Sequence, residues 1–303
     1  MKFDFLSESD QAYFIHKAST LVEALPYIRQ HSGKNIVIKY GGHAMEDEDL
    51  KQNFAEDIVL LKFVGMKPVV IHGGGPQIGQ MLKRLDIASS FVRGMRVTDA
   101  AAIEVVEMVL NRVNKEIVTS INQQGSPAVG LSGKDGELVV ARKMLLDGDE
   151  PGQPAQHDLG FVGEIIGVNP HVIHALTAQG FIPVIAPIGI GQAGETFNIN
   201  ADLVAGKVAE ALEAEKFILL TDVSGINDKE GNLLSTVSAI QAQELIDDGT
   251  ISEGMIPKVE CCISALHGGA HKTHILDGRV RHSVLLEILT KEGIGTEVSR
   301  QPV

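Results

Sequence analysis

Glycines gather directly behind two short apolar runs. Ile36-Val37-Ile38-Lys39-Tyr40 ends in Gly41-Gly42, and Pro68-Val69-Val70-Ile71-His72 ends in Gly73-Gly74-Gly75. In an open α/β sheet, ligands bind beyond the carboxyl ends of the strands. Glycines there let backbone N–H groups approach an anion closely, and a helix that follows adds positive potential. Either cluster alone could be a tight turn. Two of them, one preceded by Lys39 and the other by His72, favour a phosphate or carboxylate site. A third stretch, Phe197-Asn198-Ile199-Asn200-Ala201-Asp202, holds more polar groups than capping requires. Asn200 suffices to cap a helix beginning at Ala201, with Asp202 in its first turn. Thr221-Asp222-Val223-Ser224-Gly225-Ile226 ends another apolar run in a polar turn, where a nucleotide contact would lie. Gly254-Met255-Ile256-Pro257-Lys258 sets a lysine at the start of a helix, a weak signal by itself.

Competing motifs fail on context. The chain has no G-x-x-x-x-G-K-[ST], so it is not a P-loop NTPase. Gly189-Ile190-Gly191-Gln192-Ala193-Gly194 matches G-x-G-x-x-G after a strand, but it runs into Glu195-Thr196-Phe197-Asn198-Ile199 before any helix starts. His72-Gly73-Gly74-Gly75 resembles a lipase oxyanion loop, yet no G-x-S-x-G elbow accompanies it. Gly268-Gly269 interrupts any helix between His267 and His271, so these two and His274 need not share a face, which disfavours zinc. Glu46-Asp47-Glu48-Asp49 suits a solvated helix start, where negative charge complements the dipole.

These residues need strands and helices to hold them. From Lys34 onward the pattern alternates: strand 36–40, a helix at about 49–63, strand 68–72, and a helix opening at Pro76, a favoured first-turn residue. A long helix over 99–123, capped by Thr98 or Asp99, comes next. Residues 128–142 read as a hairpin turning at Lys134-Asp135-Gly136-Glu137. Ile182–Ala186 and Phe217–Thr221 are further strands. Their apolar, unalternating character predicts a mostly parallel sheet covered on both faces. Before all this, Leu21, Leu25 and Ile28 recur at helical spacing, and Pro26 should bend that leader or end a first piece near Ala24 or Leu25. Gly189 to Gly194 is the expected hinge between two lobes on one continuous sheet.

The 303 residues allow one large α/β domain or two ordinary ones. A net charge of −13 argues against a general nucleic-acid binder, which needs a basic face, but leaves room for a local anion pocket. Cys261 and Cys262, adjacent and alone, exclude a disulfide framework and point to a reducing, cytoplasmic compartment. No run approaches the roughly 18–20 apolar residues of a membrane span, and the start lacks a signal peptide's basic and apolar regions.

Taken together, Val37-Ile38-Lys39-Tyr40-Gly41-Gly42, Val70-Ile71-His72-Gly73-Gly74-Gly75-Pro76, Gly94-Met95-Arg96-Val97-Thr98, Asn198–Asp202, Leu220–Gly225 and Gly254–Val259 resemble the amino-acid-kinase family over about residues 34–298. The combination of Arg-Val-Thr with Asn-x-Asn-Ala-Asp is the specific part. It is similar to the branch that phosphorylates the side-chain carboxylate of N-acetyl-L-glutamate with ATP and Mg²⁺ in arginine biosynthesis. The resemblance implies a three-layer αβα sandwich, with residues 1–33 as an oligomerising helical extension. It also implies an acceptor lobe at about 34–190 and a nucleotide lobe at about 191–303.

Carried over by position, Lys39 and Lys258 would neutralise the transferring phosphoryl group, and Asp202 would orient them. An acceptor carboxylate with a pKa near ~4.3 is already ionised, so no base is required. Gly74, Gly75, Arg96 and Asn198 would hold the acceptor, Arg96 as a fork for the α-carboxylate. Gly41, Gly42, Asp222, Val223, Ser224, Gly225, Ile226, Asn227, Glu253, Gly254 and Met255 would face the nucleotide; no protein metal ligand is implied, the Mg²⁺ riding on the phosphates. The leader resembles that of arginine-inhibited members, where it swaps between dimers to form a hexamer. Tyr13, Lys216, His274, Glu287 and Gly293 would then contact L-arginine. The alternatives are a kinase of the same family acting on glutamate, carbamate or UMP, and a non-catalytic arginine sensor.

Overall fold

In a computed structural model of the protein, which describes residues 7–147 and 156–300, the leader is two helices, α1 (Glu8–Glu23) and α2 (Leu25–His31), broken where expected, with Pro26 in the first turn of the second. Strands and helices then alternate: β1 (Asn35–Tyr40), α3 (Glu48–Phe63), β2 (Lys67–His72), α4 (Gly75–Arg84), the small hairpin β3 (Phe91–Val92) and β4 (Met95–Arg96), and α5 (Ala100–Gln123). Next come β5 (Ala128–Ser132), β6 (Val139–Asp147), β7 (Gln156–Val168), α6 (His171–Ala178), β8 (Ile182–Ala186), β9 (Ile188–Ile190), β10 (Thr196–Asn198), α7 (Ala201–Ala211) and β11 (Lys216–Thr221). The chain ends with β12 (Thr236–Ser238), α8 (Ala239–Asp247), α9 (Ile256–Gly268), β13 (Lys272–Asp277), α10 (Ser283–Leu289) and β14 (Thr296–Ser299).

Eight strands form one sheet in the order β12-β14-β13-β11-β1-β2-β8-β5, parallel throughout except between β13 and β14. Its central strands bury both faces, as their unalternating sequences require. On β1, Ile36, Ile38 and Tyr40 join Phe54, Ile58 and Leu61 of α3 and Val106 and Leu110 of α5 in one core. Val37 of the same strand joins Phe217 and Leu219 of β11, Val204 and Val208 of α7, and Cys262 and Ala265 of α9 in the other. The result is the expected α/β sandwich.

The expected 128–142 hairpin does not form. β5 pairs in parallel with β8, from Ala128 opposite Ile182 to Ser132 opposite Ala186. The Asp135 carboxylate then accepts the Ser132 N–H at 2.6 Å, and a short 3-10 turn, Asp135–Glu137, sends the chain out of the main sheet. The turn chemistry was legible, but the partner of β5 lies far downstream, beyond the reach of a local pattern. The hairpin of this region is instead β6 with β7, which closes with β9 and β10 into a four-stranded barrel. The Gly189–Gly194 stretch builds the β9–β10 connection, with the Gly191 N–H donating to Glu195 O at 2.8 Å.

Candidate active site

The carboxyl ends of β1 and β2 and the amino end of α7 meet at one cleft. Lys39 lies near the end of β1, Asp202 in the first turn of α7, and Lys258 in the first turn of α9, where Pro257 helps start the helix. Asn200 caps α7 by accepting the Asp202 N–H at 2.8 Å, which fixes the aspartate's place on the first turn. The three side chains converge. Lys39 Nζ lies 3.1 Å from Asp202 Oδ1, and Lys258 Nζ donates to Asp202 Oδ2 at 2.8 Å. Cys261, one turn beyond Lys258, donates its thiol to the Asp202 carbonyl at 3.1 Å, so α9 grips α7 twice.

Burial works to raise the Asp202 pKa, but the charges and hydrogen bonds of Lys39 and Lys258 outweigh it and hold the carboxyl below its usual range. One carboxylate between two ammonium groups leaves the cluster with a net positive charge, suited to an anion. Lys39 folds over Gly41, where an added Cβ would stand 2.5 Å from its Nζ.

Lys39, Asp202, Gly41, Gly42, Gly73–Gly75, Arg96, Asn198 and Asn200 share one cleft of about 260 Å³. Gly74 caps α4 and Gly75 opens it, with Pro76 behind them. Neither glycine's N–H has a hydrogen-bond partner among the described residues, so both remain available to a ligand. Arg96 is buried on the wall: its guanidinium donates to Ser89 Oγ and, at 3.1 Å, to Gly75 O, and lies 4.6 Å from the centre of the Phe91 ring. Burial lowers its pKa from the ordinary value. Asn198 donates to Thr98 Oγ1 at 3.3 Å, and Thr98, fully buried, donates in turn to Arg96 O at 2.8 Å. Thr98 thus ties two substrate candidates together, a role that its place in the Arg-Val-Thr run could have signalled.

The nucleotide candidates lie mostly elsewhere. Asp222, just past β11, accepts the His43 N–H at 2.9 Å and sits against Gly42, so the loop after β1 is anchored on the turn after β11. Val223 is exposed, and the Ile226 N–H is held by Thr296 Oγ1 at 2.8 Å beside Gly225. Glu253–Met255 is a 3-10 turn leading into α9; the side chain of Glu253 lies outside the described residues. Neither the 222–227 turn nor 253–255 lines this cleft.

Four of the five effector candidates also meet. Lys216 Nζ donates to His274 Nε2 at 3.1 Å, and His274 Nδ1 donates to Glu287 Oε1 at 2.8 Å. Burial depresses the pKa of both Lys216 and His274. Burial works to raise that of Glu287, but His274, the Ile294 N–H and Lys216 keep it below its usual range. Gly293, at φ +62°, packs against the Glu287 carboxylate. Tyr13 does not join them: it stands exposed on α1, its ring against Phe14 and Lys17.

Residues 34–277 match the model of the amino acid kinase family. The chain is 62% identical to an acetylglutamate kinase of Geotalea uraniireducens (strain Rf4) over 286 residues, 94% of this chain and 98% of that one. It is also similar to a crystal structure of N-acetylglutamate synthase from Neisseria gonorrhoeae complexed with coenzyme A and N-acetyl-glutamate, with a TM-score of 0.83 and 28% identity, covering 94% of this chain and 64% of the synthase. The same synthase complexed with coenzyme A and L-arginine matches with a TM-score of 0.78 and 28% identity, over 94% and 65% of the two chains.

Proposed function

The chain belongs to the amino acid kinase family, and within it we propose that ATP phosphorylates the side-chain carboxylate of N-acetyl-L-glutamate, giving an acyl phosphate and ADP. The observation that carries this reading is the Lys39–Asp202–Lys258 bridge, whose Lys39 and Asp202 line a cleft that also holds Gly74, Gly75, Arg96 and Asn198. Curated relatives of up to 62% identity over nearly the whole chain make it a kinase; that cleft and the similarity to acetylglutamate kinases support the choice of acceptor.

The proposed chemistry needs little covalent help. A carboxylate oxygen of the acceptor attacks the γ-phosphorus as the bond to the β–γ bridging oxygen breaks, and no proton has to leave the nucleophile. Two anions must nevertheless approach each other. Lys39 and Lys258 offset that repulsion and the charge developing on the departing ADP, while Asp202 keeps the ammonium groups apart and aimed at one point. Both Asp202 oxygens face lysines, so Mg²⁺ would arrive on the nucleotide's phosphates rather than on this carboxylate. The free N–H groups of Gly74 and Gly75 would take a carboxylate or the acetamido oxygen, with Arg96 at the α-carboxylate and Asn198 beside it. The nucleotide would lie between the Gly41-Gly42 loop, the 222–227 turn and Gly254-Met255. The acceptor lobe is then about 34–190 and the nucleotide lobe about 191–303, in a cytoplasmic enzyme of arginine biosynthesis.

The buried Lys216–His274–Glu287 chain and the exposed leader support a second part of the proposal. The enzyme forms a ring-shaped hexamer through α1, and L-arginine binds beside that chain and inhibits it. Tyr13 would reach the effector across a subunit boundary. A coupled ADP assay tests the acceptor and the inhibition. ADP should form with N-acetyl-L-glutamate but not with glutamate, carbamate or UMP, and added L-arginine should slow it. ADP formation with one of the other acceptors alone would move the assignment to that substrate, and none with any acceptor would favour a non-catalytic arginine sensor.

A further inference from the structure

His72 ends β2 with its side chain fully buried, and it belongs to none of the roles above. Its Nδ1 lies 2.7 Å from the Gly73 carbonyl oxygen, a group that only accepts, so Nδ1 carries the hydrogen. Its Nε2 lies 3.2 Å from Asn114 Nδ2 on α5. That end of the Asn114 amide also faces Val184 O at 2.9 Å and Leu131 O at 3.3 Å. Both are acceptors, so it is the NH₂ end; its two hydrogens are shared among three acceptors, and His72 Nε2, facing a donor, carries a lone pair. The ring is therefore neutral and held in one tautomer. Burial acts in the same direction, bringing the His72 pKa down to about 4.

The consequence follows from peptide geometry. The Gly73 C=O and the Gly74 N–H belong to one planar trans unit and point in opposite directions. Drawing the carbonyl back onto His72 turns the Gly74 N–H the other way, to the cleft that Gly74 lines. The Gly73 N–H is itself held by Tyr40 O at 2.8 Å, so the loop is fixed on both sides of that peptide. Leu110, one turn before Asn114 on α5, lies 2.7 Å from where a Gly74 Cβ would stand. One helix thus supports both the ring and the loop.

We propose that His72 and Asn114 are positioning residues for the acceptor site, a tautomer-set brace that keeps the Gly74 N–H aimed at the substrate anion. The proposal rests on reading that cleft as the acceptor site. Without the Asn114 NH₂ the imidazole is free to take its other tautomer, whose Nδ1 lone pair would repel the Gly73 carbonyl and let the peptide turn, withdrawing the donor.

The first test is spectroscopic. Nitrogen-15 NMR of the histidine rings in the full-length protein near neutral pH should show His72 protonated on Nδ1 and not on Nε2. The opposite tautomer would overturn the brace. The second is kinetic. His72→Phe should raise the KM for N-acetyl-L-glutamate roughly 10- to 100-fold while leaving the KM for ATP in place. His72→Asn, whose amide N–H reaches the same carbonyl, should recover most of the loss, and Asn114→Leu should show a smaller loss of the same kind. A uniform rise in both KM values, or His72→Asn no better than His72→Phe at equal folded fraction, would make the role merely structural. If His72→Phe does not fold, His72→Asn against Asn114→Leu decides. If the wild-type chain makes no ADP from N-acetyl-L-glutamate, the acceptor assignment fails by itself and the ring nitrogens still judge the brace.

Discussion

A carboxylate shared by two ammonium groups is costly to assemble unless each partner is held by something else. Asn200 fixes Asp202 at a helix start, Cys261 grips its carbonyl, and β1 and α9 deliver the lysines. The lysines are not equivalent. Lys39 is the more buried, at 11% exposed against 23% for Lys258, and lies folded over Gly41. Lys258→Ala should therefore leave Asp202 paired with Lys39 and the fold intact. Turnover should nevertheless fall about 10²–10³-fold, as for loss of one preorganised transition-state donor, with a much smaller change in nucleotide affinity. Steady-state kinetics with ATP varied at saturating acceptor checks this; unchanged turnover would remove Lys258 from the chemistry. At this scale the sequence displayed each charged residue at a strand end or helix start, yet their meeting was not written in any spacing. Thr98 reads only as a possible helix cap and as part of a motif, and Asn114 escaped notice, because each acts through partners that only topology brings near, Asn198 for one and His72 for the other.

Elements hold these residues through a few crossing points where side chains have no room. β7 passes the start of α5 at Gly160, where Thr98 and Gly160 form an isolated bridge and Phe161 N–H donates to Thr98 O at 2.6 Å. Gly160 has φ +76°, and a Cβ there would run into the Thr98 carbonyl. Gly160→Ala combines an unfavourable φ with a backbone clash and should cost about 2–4 kcal/mol. Because Thr98 also holds Asn198, the same variant should raise the acceptor KM. Chemical denaturation beside acceptor kinetics measures both, and a fully stable Gly160→Ala would show that the crossing can yield. The glycines that make this packing possible also hid it: Gly160, Gly163 and Gly167 break the alternation by which β7 could have been read as a strand. β13 was hidden differently. Lys272-Thr273-His274-Ile275-Leu276-Asp277 reads as polar, yet Thr273 and His274 are fully buried, His274 because Lys216 and Glu287 satisfy it. β1, β2, β8 and β11 keep their buried polar residues, Lys39, His72 and Lys216 among them, at or next to the strand ends, and the continuous apolar runs between gave them away.

Across the whole molecule the sheet is covered by helices on both faces. Those helices leave some apolar side chains open, Phe63, Met108 and Ile240 among them, whereas the first helix of the leader leaves all of its own open. No residue of α1 is buried, and Tyr13, Phe14, Ile15, Leu21 and Val22 are all exposed on it. α2 behaves differently: it packs on α10 and carries His31, buried with its Nδ1 3.8 Å from Glu215. The break at Pro26 thus separates a helix that the rest of the chain holds from one whose apolar surface lies open, the kind of patch that marks an interface. Deleting residues 1–23 removes the second and keeps the first. Such a chain should unfold at nearly the temperature of the intact one when both are compared as the smallest oligomer. It should keep its ADP-forming activity and run as a smaller particle in light scattering. Cutting further, into α2, should instead lower thermal stability, because His31 and its contacts with the main body are lost. A shortened chain that kept the full particle mass would show that subunits meet through the sandwich itself and that the apolar face of α1 serves some other contact.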